Sequence, residues 1–155
     1  MVDLQEIEAI KRLKYKYLRC LDLKQWDEMA ECFIEDATAA YSDGEYSFAG
    51  REHIMRFLRD ALGGHNLITS HRVHQPEIDI TGATTAVGTW ALEDTVIETQ
   101  SNSVIRGAAF YRDEYVKVGG QWKIRSTGYQ RLFEERLMRA DTPSWHLAAN
   151  RWAAK

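Results

Sequence analysis

Between Leu4 and Leu21 the residues Leu4, Ile7, Ile10, Leu13, Tyr17, Cys20 and Leu21 recur at three- and four-residue intervals. That is the repeat of one helix face, so the stretch predicts an amphipathic helix. Asp3 and Glu6 form a capping box at its start. A shorter helix is predicted from about Trp26 to Phe33, for which Asp22 and Gln25 offer a second capping pattern, D-x-x-Q. "ATAAY" then reads as a strand, "SDGE" as a turn and "YSFAG" as a second short strand. Arg51 to Leu62 predicts a third helix, with Ile54, Phe57, Leu58, Ala61 and Leu62 on one face and Gly63-Gly64 as its stop.

Beyond this point the period changes to two. "TSHRVHQPEIDI" reads as a strand bent near Pro76, and "TTAVGTWALEDTVIET" and "SVIRGAAFYRDEYVKV" as two long ones. A Gly-Gly turn leads into "QWKIRSTGYQRLF". Long strands joined by short turns predict an antiparallel meander. A helical half followed by a strand half argues for α+β. Gly88, Gly107 and Gly128 lie inside strands and suggest bulges or bends that curve the sheet. The expected architecture is a curved antiparallel sheet, with helices packed on its concave face around an elongated apolar pocket. The tail from Thr142 to Lys155 carries Trp145 and Trp152 and is expected to dock on the body or on a neighbouring subunit. With no internal repeat, no linker-like stretch and two prolines, residues 1–155 are expected to form a single domain.

Composition narrows the classes. The 155 residues carry a formal net charge of -3, with acids and bases mixed along the chain. No basic stripe is present, so nucleic acid is not an expected partner. The five tryptophans and seven tyrosines are therefore better read as core than as a stacking platform for single strands. No apolar run is long enough to span a bilayer. "MVDLQEIEAI" has no apolar signal core, and a cytoplasmic location is expected. Cys20 and Cys32 have no metal-ligand spacing and are expected to be reduced, buried thiols. There is no G-x-S-x-G elbow, phosphate-binding loop or dinucleotide fingerprint. No cofactor and no metal are expected.

Six polar residues stand out along the chain. Tyr17 falls within the apolar arc of the first helix, where a buried phenol needs a partner. It is either a core tyrosine tied to a carbonyl or a donor turned into the pocket. Asp22 lies at a helix end whose dipole disfavours an anion. It either caps the next helix or orients a histidine. His71 and His74 are three apart on one strand and point to opposite faces, which argues against a shared metal. The inward one is either a satisfied core residue or a general base. Asp94 shares a face with Trp90, Leu92 and Val96, where an acid needs a partner or a task. Arg131 shares a face with Thr127, Tyr129 and Phe133 and either pairs inside or lies on the surface.

The segments "IEAIKRLKYKYLRCLDLKQWDE", "AYSDGE", "SHRVHQPEI", "WALED", "GAAFYRDEYVKVGGQW" and "TGYQRLFEERLMR" resemble the SnoaL-like, nuclear-transport-factor-like family, and within it the bile-acid 7α-dehydratases. The likeness runs from about Glu6 to Arg139. More distant members are scytalone dehydratase and hexachlorocyclohexane dehydrochlorinase. The resemblance implies a cone-shaped α+β fold, a homotrimer and a small hydrophobic substrate. It implies working groups at Tyr17, Asp22, His71, Asp94 and Arg131. Tyr41, Leu58, Trp90, Phe110 and Tyr129 are expected to line the substrate pocket. "NLITS", "RSTGY" and the two-tryptophan tail do not clearly match.

The residue types suit the implied chemistry. Dehydration beside an activated position needs a base for the proton and an acid for the departing hydroxide. A histidine suits the first task, with an aspartate fixing its tautomer. A buried tyrosine can donate where charge develops. The reading is a dehydratase-type lyase acting on a polycyclic, steroid-like hydroxy-carbonyl compound. The same groups would also serve an isomerase, a polyketide cyclase or a dehydrohalogenase, and the fold also serves non-catalytic ligand-binding domains.

Overall fold

The computed structural model of the chain describes residues 3–153. Helix α1 runs Leu4–Asp22. The Asp3 carboxylate accepts from the backbone N–H groups of Gln5 and Glu6 at 3.0 and 3.3 Å, which satisfies two of the first turn's free donors. The buried stripe holds Ile10, Leu13, Tyr17, Leu18, Cys20 and Leu21, whereas Leu4 is exposed. Glu6 anchors the same turn to the sheet by accepting from Lys117 Nζ at 2.5 Å and from Trp122 Nε1.

The helix ends in a Schellman motif. The Gln25 N–H donates to the Cys20 carbonyl at 2.8 Å and the Lys24 N–H to that of Leu21 at 3.2 Å. The left-handed residue of this motif, usually glycine, is Lys24, with φ 55°. Helix α2, Trp26–Ala30, is shorter than predicted. Phe33 already opens strand β1 and pairs with Ile124. The capping pattern expected from Asp22 and Gln25 does not form. Gln25 is the N-cap and makes no side-chain capping bond, and Asp22 turns to the sheet instead.

The strands are β1 (Phe33–Tyr41), β2 (Tyr46–Ala49), β3 (Leu67–Gly82), β4 (Thr85–Glu98), β5 (Ser103–Val118) and β6 (Gln121–Met138). They form one sheet in the order β2-β1-β6-β5-β4-β3. The meander β3–β6 is antiparallel as expected, and Gly119 and Gly120, with φ 57° and 79°, make the two-residue turn between β5 and β6. The sheet as a whole is mixed, because β1 pairs with β6 in parallel. After β2 the chain crosses through α3 (Arg51–Leu62) to the far edge and returns strand by strand. The last strand therefore meets β1 running the same way, a pairing that only a long crossover permits.

The helices cover one face, α1 against β3 and β6 and α3 against β1 and β2. On that face Ala86, Trp90, Leu92 and Asp94 of β4 alternate with outward residues, as do Ala109, Tyr111, Asp113 and Tyr115 of β5. The core gathers Ile10, Tyr17, Phe33, Ile54, Trp90 and Tyr111. A bulge shifts the β5–β6 register: Ala109 pairs with Arg131 but Ala108 with Phe133, leaving Leu132 unpaired. The slip turns Phe133 away from Arg131, contrary to the shared face expected from strict alternation, and leaves it 52% exposed.

In the tail, Trp152 stacks on His65 with ring centroids 5.8 Å apart, while Trp145 stays exposed. Cys20 and Cys32 are free and buried. No described helix is long and apolar enough to cross a membrane.

Candidate active site

Strand alternation turns Thr69 and His71 toward the helices and Ser70 and Arg72 away from them. The end of α1 delivers Asp22 to the same place. Its carboxylate accepts three bonds from β3: the Thr69 hydroxyl at 2.9 Å, the His71 backbone N–H at 2.8 Å and His71 Nδ1 at 2.7 Å. These donors offset the unfavourable position of an anion at a helix C-terminus. They also fix the imidazole. With Nδ1 donating to a carboxylate, the neutral ring carries its lone pair on Nε2. Nε2 has no hydrogen-bond partner among the described residues. The pair sits at the rim of the packed interior, with the His71 side chain 9% exposed and that of Asp22 22%. His74 points outward as predicted, to Glu93 at 3.2 Å.

Asp94 is the cross-strand partner of His71 in the β3–β4 register. Its two oxygens take a fork from Arg131, Nη1 at 2.5 Å and Nη2 at 3.0 Å. Glu134 lies 3.3 Å from Nη2, and the buried Nε has no hydrogen-bond partner among the described residues. Burial alone would lower the Arg131 pKa, but the Asp94 hydrogen bonds and charge outweigh it and the net shift is upward. Gly107 makes the fork possible: a Cβ there would lie 2.6 Å from Arg131 Nη1 and 2.7 Å from the Phe133 carbonyl.

Tyr17 is fully buried, and its partner is a hydroxyl rather than a carbonyl: Tyr41 Oη, at 2.9 Å. Burial holds the Tyr17 phenol well above its ordinary pKa, so it stays protonated. Its ring meets Tyr111 edge-on, and Tyr111 and Tyr41 in turn pack on Tyr129. The structure thus brings Asp22 to His71 and Asp94 to Arg131. It sets Tyr17 in the tyrosine cluster, with no hydrogen bond to His71. Of the expected pocket residues, Tyr41, Leu58 and Trp90 are buried and Tyr129 is half-buried. Phe110 is a correction. It alternates with buried Ala109 and Tyr111, points to the outer face and is 41% exposed. Grooves of about 760 and 400 Å³ lie beside α3 and over the outer sheet face, and neither is lined by Tyr17 or His71. Among the described residues no three His, Cys, Asp or Glu side chains converge to hold a metal.

One buried polar group escaped the sequence reading. Lys14 and Asp113 are both fully buried, with Nζ 2.7 Å from Oδ2. The contact is an ion pair, and among the described residues Nζ makes no further well-directed hydrogen bond. Asp113 also accepts from Tyr115 at 2.7 Å and Thr127 at 2.6 Å, and Trp90 Nε1 donates to the Tyr115 hydroxyl at 2.9 Å. The Lys14 ammonium lies 3.4 Å from the Tyr111 ring centroid. The signal was present: Lys14 lies four after Ile10 and three before Tyr17, and Asp113 alternates with Tyr111 and Tyr115.

Comparison with known proteins agrees with this architecture. The model of the SnoaL-like domain family matches residues 2–128. A protein of Novosphingobium aromaticivorans provisionally named a scytalone dehydratase superposes with a TM-score of 0.79 at 25% identity, over 95% of this chain and 92% of its own. The type 3 hexachlorocyclohexane dehydrochlorinase of Novosphingobium barchaimii gives 0.77 at 20% identity, over 86% and 91%. A second N. aromaticivorans protein, provisionally named an aromatic ring hydroxylase, gives 0.80 at 16%, over 88% and 96%. The last two likenesses are of fold.

Proposed function

The chain belongs to the SnoaL-like domain family, and on that premise we propose that it is a cofactor-independent dehydratase of hydrophobic polycyclic hydroxy-carbonyl compounds, with a steroid skeleton as the first candidate. The observation that carries the reading is the 2.7 Å bond between Asp22 and His71 Nδ1, which leaves Nε2 as the available base. In the reaction Nε2 takes a proton from carbon activated by the carbonyl. The electrons of that C–H bond flow toward the carbonyl, and their return expels hydroxide from the neighbouring carbon to leave a C=C bond. Asp22 stabilises the imidazolium that forms. Tyr17, kept protonated by burial, donates to oxygen that gains charge. The Asp94–Arg131 fork supports the row across the sheet from His71.

The steroid choice rests on the likeness of Tyr17, Asp22, His71, Asp94 and Arg131 to the working groups of bile-acid 7α-dehydratases. The exposed Leu132, Phe133 and Met138 at the end of β6 offer apolar surface for the homotrimer that the same likeness implies. The test is incubation with a 7α-hydroxy-3-oxo-4-ene steroid. Dehydration extends the conjugation and adds the longer-wavelength absorbance of a dienone. No such band with a panel of polycyclic hydroxy-ketones, from folded protein, would reject dehydration. A product of unchanged mass would point to isomerisation by the same pair.

A further inference from the structure

The turn that follows Asp22 contains a residue that the turn itself does not favour. Lys24 occupies the left-handed position of the Schellman motif, which glycine would adopt without steric conflict. Its side chain folds back into the protein. Nζ donates to the carbonyl of Leu62, the last residue of α3, at 2.5 Å and to that of Leu67, the first of β3, at 3.1 Å. Three elements therefore meet at one ammonium: the end of α1, two residues past Asp22; the end of α3; and the start of β3, two residues before Thr69 and four before His71.

The C-terminal tail closes this clamp from outside. The Trp152 ring lies 5.0 Å from Lys24 Nζ and stacks at 20° on His65, in the loop between α3 and β3. Arg151 lies 5.6 Å from the same ring. Burial lowers the Lys24 pKa, and the charge of Asp22 opposes that shift. All three donors to Asp22 come from β3, so their alignment depends on how the start of β3 is held against the end of α1.

We propose that Lys24 is a positioning residue for the Asp22–His71 pair and that Trp152 of the tail holds it in place. Its catalytic meaning rests on the reading of that pair given above, but its test does not. The probe is the His71 Nδ1 proton, observed by NMR in the full-length 15N-labelled chain and assigned by its loss in His71→Gln. Lys24→Gly relieves the left-handed backbone but removes both Nζ bonds, so a role confined to tying α3 to β3 predicts at most a shifted Tm with an unchanged Nδ1 signal. The proposal predicts that exchange of this proton with water speeds up about tenfold or more, as for the loss of a hydrogen bond from a charged donor. Trp152→Ala, a change in the tail that leaves the core intact, speeds exchange in the same direction. Wild-type exchange in either variant overturns the proposal. Faster exchange in both, with a wild type that dehydrates no substrate, would leave this inference standing and remove the functional one.

Discussion

Asp113→Asn removes the carboxylate that faces Lys14 while keeping the shape of the side chain. In the variant the lysine stays in the core, fully buried, with no counter-charge. It must either remain charged, at a desolvation cost of several kcal/mol, or give up its proton. From its ordinary pKa of 10.5, neutralisation at pH 7 costs about 5 kcal/mol, at about 1.4 kcal/mol per pH unit. That figure is a ceiling, because burial already lowers the Lys14 pKa in the native protein against the pull of Asp113. The expected loss at pH 7 is about 3–5 kcal/mol, the range for breaking a buried pair. The sign with pH follows. A neutral lysine in the folded variant binds one proton fewer than in the unfolded chain, so the variant gains stability as pH rises toward 10.5. Urea denaturation at pH 7, 8 and 9 should show its gap to wild type narrowing by about 1.4 kcal/mol per unit. The double variant Lys14→Met/Asp113→Asn should recover most of the loss. A loss below about 1 kcal/mol would refute a charged lysine in the core, whereas a large loss that does not change with pH would mean that the lysine keeps its proton in the variant.

Gly107→Ala places a methyl against Arg131 and the Phe133 carbonyl. It should cost about 1–3 kcal/mol in denaturant titrations, the range for overpacking, and slow turnover as the fork is displaced. Tyr17→Phe removes one hydroxyl of the Tyr17–Tyr41 pair. Steady-state kinetics should show kcat reduced about 10²-fold or more, with stability changed by less than about 1.5 kcal/mol. Glu98 is held at about 2, down from 4.5, by its hydrogen bonds from Ser101, Asn66 and Gln100. A depressed carboxylate stabilises above its ordinary pKa and loses that contribution as pH falls through the folded value. The stability gap between wild type and Glu98→Gln should therefore be level from pH 7 to about 5 and close between about 4.5 and 2, as followed by acid titration of tryptophan fluorescence.

Where periodicity and punctuation agreed, the sequence was enough. Helix α3 ends at the residues its apolar face and Gly63-Gly64 predict, and β5 spans the whole of "SVIRGAAFYRDEYVKV". The Asp22–His71 contact was legible as an alternative, because a carboxylate at a helix C-terminus has no local reason to be there. Sequence could not decide between the cap and the histidine, since both satisfy an aspartate and only the approach of β3 to α1 separates them. The parallel β1–β6 pairing arises from a crossover between distant segments, which no local pattern records. Phe133 was misassigned because one extra residue, Leu132, reverses the alternation. Phe110 was misassigned although Ala109 and Tyr111 beside it already filled the inner face. Lys14 and Asp113 are each the expected residue type for a solvated surface, and only together do they make sense inside.

The central claim is that His71, oriented by Asp22, removes the proton in a dehydration. Its most direct measurement is the initial rate of dienone formation from a 7α-hydroxy-3-oxo-4-ene steroid by wild type and by His71→Ala, with both proteins confirmed folded by circular dichroism. The account predicts a rise in absorbance with wild type and a rate lower by about 10²–10⁴-fold in the variant. Equal rates from the two proteins would contradict it.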